Sequence, residues 1–205
     1  MRACIFDLDG TLVQSTAIDA EIFNGAIETI LGPVRLRASF SDYTHVTDSG
    51  IVAEVLVDNG YAQDPSLVKA IRLEFVNGLA KHVARCGPFA QVPGAASFLR
   101  RLQNDATTRV AIATGGWREP ALLKLTSAAI AFDRIPVATS SESPSRTEIM
   151  QSALERIGER VSSVTYFGDA AWDAQACSEL DWEFVAVGPA LGGIQSYDEV
   201  VIQAL

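Results

Sequence analysis

Two hydrophobic rhythms divide the chain. Short, nearly continuous apolar runs occur at 2–8 (RACIFDL), 109–114 (RVAIAT), 134–138 (RIPVA), 163–168 (SVTYFG) and 183–188 (EFVAVG). Runs of this kind fit strands buried on both faces of a parallel sheet. Between the later runs the apolar period lengthens to that of a helix, at 95–103, 119–129, 146–157 and 172–180. Strands alternating with helices predict an α/β fold with a doubly wound, Rossmann-like sheet. About a hundred residues separate the first run from the second, far more than one crossover needs. That stretch is helical in pattern: Ile18, Ile22, Phe23, Ile27, Ile30 and Leu31 share one face, as do Leu67, Ala70, Ile71, Phe75 and Leu79. The expectation is a core of residues 1–14 and 89–205 with an inserted all-helical unit, 15–88. Linkers are expected near 14–16 and 86–93, the second punctuated by Gly87-Pro88 and Pro93-Gly94.

Composition narrows the function. The net charge of −9 repels nucleic-acid backbones and anionic membranes, and no Lys/Arg run offsets it. An anionic small substrate would need a cation to bring it in. No apolar run approaches membrane-spanning length, and the N-terminus lacks a leader-like apolar stretch. Cys4, Cys86 and Cys177 are odd in number and lack metal-like spacing, which fits reduced thiols in a cytoplasm. A monomer or a homodimer is equally compatible.

The candidate chemistry lies where the runs end, which in open parallel sheets is where ligands bind. The first run closes on Asp7-Leu8-Asp9-Gly10-Thr11. Carboxylates at i and i+2 share a side only if the backbone stays extended, and Gly10 then permits a sharp exit. A bare pair of acids is also an ordinary acidic turn. The second run closes on Thr114-Gly115-Gly116, a hydroxyl and open backbone N–H groups suited to phosphate, or else a plain strand-to-helix turn. The fourth closes on Gly168-Asp169, with Asp173 a helical turn further on, where the helix dipole alone would favour an acid. Four convergent carboxylates need a hard divalent cation with oxygen ligands. His45 and His82 have no partner at metal or triad spacing, and Trp117 and Trp172 serve either packing or the site mouth.

This ordered set resembles the haloacid dehalogenase superfamily, in its helical-cap branch of phosphoglycolate-phosphatase-like and β-phosphoglucomutase-like members. Val92-Pro93-Gly94 before the next helix fits that branch, and the likeness covers essentially the whole chain. The resemblance implies a Mg²⁺-dependent phosphatase acting on a small phosphorylated metabolite. Asp7 would be the nucleophile and Asp9 the general acid–base. Thr114, Gly115, Gly116 and Arg146 would hold the phosphoryl oxygens. Asp7, Asp169 and the main-chain carbonyl of Asp9 would hold magnesium, with Asp173 orienting that shell. Arg146 stands where the family usually has Lys, since no Lys follows Lys124; otherwise it is an exposed first-turn residue. Thr47-Asp48-Ser49-Gly50 resembles the branch's substrate-facing polar turn. A β-phosphoglucomutase-like phosphotransferase shares every motif. A haloalkanoate dehalogenase, which has no need of Asp9, and a catalytically silent phospho-ligand-binding module are the remaining alternatives.

Overall fold

A computed structural model describes residues 1–201, so the last four positions of the expected 89–205 segment lie outside the described residues. Five strands, β1 (Arg2–Phe6), β2 (Thr108–Thr114), β3 (Val137–Thr139), β4 (Ser163–Gly168) and β5 (Glu183–Ala186), form one sheet in the order β3-β2-β1-β4-β5. Every pairing is parallel, with Phe6 opposite Ile112 on one side and Phe167 on the other. The chain moves outward from β1 to β2 and β3, then returns to β4 and β5. The carboxyl end of β1 therefore lies at the switch point of the sheet.

Alternation along the central strands sorts side chains to two faces. Cys4, Phe6, Val110, Ile112 and Phe167 point to one apolar cluster. Ala3, Ile5, Ala111, Ala113 and Tyr166 point to the other. Helices α4 (Ala95–Asn104) and α5 (Arg118–Ser127) cover the first face with Phe98, Leu99, Ala121 and Leu125. On the second, α6 (Arg146–Ile157) contributes Ile149, Met150 and Ala153, and α7 (Ala171–Leu180) contributes Ala176 and Cys177. The sheet is therefore doubly wound. An aromatic group sits under β1: Phe6 stacks on Phe167 at 4.5 Å, and Phe98 stacks on Tyr197 at 5.1 Å. Such pairs add roughly 0.5–1.5 kcal/mol each beyond the area they bury.

Between β1 and β2 run α1 (Thr16–Leu31), α2 (Asp48–Asp58) and α3 (Pro65–Cys86). Phe23 of α1 meets Phe75 of α3 edge-on at 5.3 Å and Trp117 at 5.9 Å, so the inserted helices share an aromatic contact with the sheet's own layer. Trp117 is thereby packed rather than exposed. The expected third strand, 134–138, is displaced to Val137–Thr139. Ile135 N–H closes a turn onto Phe132, and Pro136 has no N–H to donate, so pairing begins only after the proline. No described helix is long and apolar enough to cross a membrane.

Candidate active site

Asp7 follows β1 directly, and its N–H donates to the Phe167 carbonyl at 2.9 Å, holding the backbone extended past the strand. The chain then turns at Gly10, whose φ of +77° suits a residue without a side chain. A Cβ there would also collide with the Asp169 carboxylate, so the glycine lets two motifs approach. The same holds opposite: a Cβ on Gly115 would lie 2.6 Å from Arg146 Nη2. Asp7, Asp9, Thr114, Gly115, Gly116, Arg146 and Asp169 all line one cavity of about 100 Å³. The inserted helices contribute Asp19, Phe23, Asp48 and Ile51 to its wall.

Asp7, Asp169 and Asp173 bring carboxylate oxygens within 4.8 Å of one another. Burial and the neighbouring acids hold the Asp7 carboxyl well above the usual range. Burial, then Asp173 and Asp9, push Asp169 up to about 7. Asp173 is raised by burial although Arg146 opposes the shift. Each oxygen of Asp173 has a partner: Arg146 Nη1 at 2.8 Å and the Ala170 N–H at 3.2 Å. Raised acids crowded around few cations lack positive charge, and an all-oxygen donor set of this kind fits a hard divalent ion.

Asp9 stands outside that cluster. Its carboxylate is held by Lys124, whose Nζ lies 2.6 Å from both oxygens, and by the Ser15 hydroxyl at 2.5 Å. Its side chain lines the same cavity as Asp7 and Asp169 but is committed to Lys124 and Ser15, which leaves its main-chain carbonyl for the metal role that the family resemblance assigns it. Lys124, on α5, is fully buried and also donates to Asp19 of α1 at 2.6 Å. Burial lowers its affinity for a proton, but Asp19 and Asp9 raise it further, so the ammonium stays charged. Asp19 itself is pushed up to about 6, by burial and then by Asp9.

Arg146 is not an exposed first-turn residue: 14% of its side chain is accessible. Ser145 caps α6 ahead of it, accepting from the Glu148 N–H. Besides Asp173, the guanidinium approaches Asp7 at 3.8 Å and donates from Nη2 to the Val46 carbonyl at 2.8 Å. Its buried Nε has no partner among the described residues. A bidentate grip of Arg146 on phosphoryl oxygens is thus not preset, because Nη2 is committed to the inserted segment. The polar turn at 47–50 docks against the strand ends. Asp48 N–H donates to Gly115, its carboxylate accepts from Trp117 N–H at 2.8 Å, and Thr47 Oγ1 donates to Pro144. Burial, then Asp19, pushes Asp48 up to about 8. His45 is exposed and lines a neighbouring pocket that shares Val46, Arg146 and Trp172 with the cavity, while His82 stacks on Phe89; neither lines the cavity itself. Lys124 escaped the sequence reading, although it falls on the buried stripe of 117, 121, 125 and 128.

A family model of haloacid dehalogenase-like hydrolases matches residues 1–181. No curated protein matches the sequence. Among solved structures, the chain is similar to a hydrolase from Pseudomonas syringae, with 20% identity, TM-score 0.71, and 91% of this chain and 84% of that one covered. CbbY from Rhodobacter sphaeroides, in complex with phosphate, aligns at 18% identity and TM-score 0.69, covering 98% and 90%. A β-phosphoglucomutase from Clostridium difficile aligns at 14% identity and TM-score 0.73, covering 98% and 94%.

Proposed function

Because the chain belongs to the haloacid dehalogenase-like hydrolases, we propose that it is a phosphatase that cleaves a small phosphomonoester through a phosphorylated Asp7. The observation that carries the reading is the convergence of Asp7, Asp9, Thr114, Arg146 and Asp169 on one cavity of about 100 Å³. That volume, with the inserted helices docked, suits a phosphoryl group and little more, so the helices act as a cap that must admit the rest of the substrate. The phosphate held by the CbbY structure of the same fold supports the choice of phosphoryl chemistry.

In this reading the Asp7 carboxylate attacks phosphorus and the ester oxygen departs, giving an acyl phosphate on Asp7. Asp9 gives its proton to the departing oxygen, then takes one from the water that cleaves the acyl phosphate. Thr114 Oγ1 and the Gly115 N–H receive the non-bridging oxygens, the Gly116 N–H being held by Thr114 Oγ1 and the Trp117 N–H by Asp48. Arg146 turns Nε, and Nη2 once released by Val46, to the same oxygens, while Asp173 fixes its other arm. Asp7, Asp169 and the Asp9 carbonyl would hold Mg²⁺, which supplies charge neutralisation and polarises the phosphoryl group.

Phosphate release from sugar phosphates, phosphoglycolate, nucleotides and an aryl phosphate tests the proposal, with and without magnesium. Release should require a divalent ion and cease in Asp7→Asn, whose amide is a poor nucleophile. Turnover that persists in excess EDTA, or unaltered turnover in Asp7→Asn, overturns it.

A further inference from the structure

We propose that Lys124 is a positioning residue of this site: anchored by Asp19 of the inserted helices, its buried ammonium orients the Asp9 carboxyl and stabilises the carboxylate that Asp9 becomes as its proton passes to the leaving oxygen. The inference rests on the phosphatase reading and assigns within it a residue outside the acids and the phosphate cradle.

The geometry is that of a clamp. Lys124 Nζ sits 2.6 Å from each oxygen of Asp9 and 2.6 Å from Asp19 Oδ1, which uses all three ammonium protons. No part of Lys124 is accessible to solvent. A lysine so placed has no surface alternative to offset the cost of burial, which its two carboxylate partners must supply. Those partners come from different parts of the chain: Asp9 follows β1, and Asp19 lies in the first turn of α1. Ser15, between them in sequence, donates to the same Asp9 oxygen as one Lys124 proton. Asp9 is thus restrained from two directions.

The clamp has a chemical consequence. Before the reaction Asp9 carries its proton on Oδ2, where one ammonium contact gives way, while Lys124 and Ser15 hold Oδ1. As the ester P–O bond breaks, its electron pair goes to the leaving oxygen, which takes that proton. Asp9 is left as a carboxylate, and the charge it gains appears beside a fixed cation in a water-poor site. The benefit scales with how much the leaving oxygen needs that proton. A strongly basic leaving group gains most, and an acidic one departs unaided.

That dependence supplies the test. Aryl phosphates of similar shape, from 2,4-dinitrophenyl through 4-nitrophenyl to phenyl phosphate, span acidic to basic leaving groups. The readout is kcat/KM, which covers steps up to departure of the leaving group. Lys124→Met should lower kcat/KM for phenyl phosphate by about 10²-fold or more, the lower range for losing general acid help, and for 2,4-dinitrophenyl phosphate by under about tenfold. Asp9→Asn should show the same selective loss, and adding Lys124→Met to it should cost little more. Lys124→Met leaves two acids facing each other, so circular dichroism and melting must confirm its fold. If it does not fold, Lys124→Met with Asp19→Asn removes one charge of each sign and repeats the measurement. Equal losses across the series, or wild-type rates, overturn the assignment while leaving the phosphatase reading intact. Wild-type protein that releases phosphate from none of these esters overturns both.

Discussion

At the scale of single residues, the site depends on how two cations, one fully and one largely buried, are shared among buried and half-buried acids. Lys124 serves Asp9 and Asp19, and Arg146 serves Asp173 and faces Asp7. Neither cation can be removed without leaving uncompensated charge. Arg146→Ala removes no apolar group from the core, but it strips Asp173, whose side chain has no accessible surface, of the arginine that pairs with it. Breaking a buried pair from one side typically costs about 3–5 kcal/mol. Arg146→Ala should therefore melt markedly lower in the absence of metal, and its kcat/KM should fall by about two orders of magnitude, as for loss of one oxyanion donor. Arg146→Lys should recover part of both, keeping the charge but not the fork. Calorimetry and steady-state kinetics on the two variants check this; a wild-type melting temperature in Arg146→Ala would mean that Asp173 finds another partner.

At the scale of elements, the turn at 46–48 and the start of α2 join the inserted helices to the strand ends, and Asp48 contributes two of the hydrogen bonds, beside one each from Val46 and Thr47. Its carboxyl titrates near 8 when folded and near 4 when unfolded. The folded state thus binds the proton more tightly, so this group's contribution is most favourable below the unfolded value and is lost as pH rises toward 8. Asp48→Asn keeps an oxygen for the Trp117 N–H and carries no charge. Its melting temperature should exceed that of wild type by more at pH 8 than at pH 5, measured in matched buffers; a constant difference would place the titration elsewhere. The strands and the inserted helices were legible because parallel strands are apolar on both faces and helices carry a 3.6-residue stripe. Asp7, Thr114, Asp169 and Asp173 were legible because they sit at strand ends or one turn beyond. The start of β3 was not, since RIPVA reads as a strand until Pro136 is asked for a donor it lacks. Lys124 was not, because a charged residue in a helix is ordinarily solvated and its partners, Asp9 and Asp19, lie 115 and 105 residues away in sequence. The clue was its position on the apolar stripe with Ala121 and Leu125.

At the scale of the whole molecule, the fold gathers acids that it can hold only under strain of charge. In the metal-free protein Asp19, Asp48 and Asp169 titrate near 6, 8 and 7, and Asp7 higher than an ordinary carboxyl, each mainly through burial. All four of these shifts are upward, so these groups bind more protons in the folded state than in the unfolded chain between about pH 4 and 8. Their contribution to stability falls as pH rises through that window. A divalent cation held by Asp7 and Asp169, as proposed, would need those carboxylates ionised, so it would compete with protons and bind more tightly as pH rises. It also binds the folded state selectively, which stabilises by RT ln(1 + [L]/Kd), about 2.7 kcal/mol at a hundredfold excess over Kd. The two effects oppose each other. Without metal, the melting temperature should decline from pH 5 to pH 8; with millimolar magnesium the decline should flatten, and the magnesium-induced rise should be larger at pH 8 than at pH 6. Asp169→Asn should lose the magnesium-induced rise and, lacking one titrating group, show a shallower metal-free decline. Thermal scans across pH, with magnesium or EDTA, read both slopes independently of any substrate. A magnesium-induced rise that is greatest at pH 5 would rule out metal binding through these carboxylates.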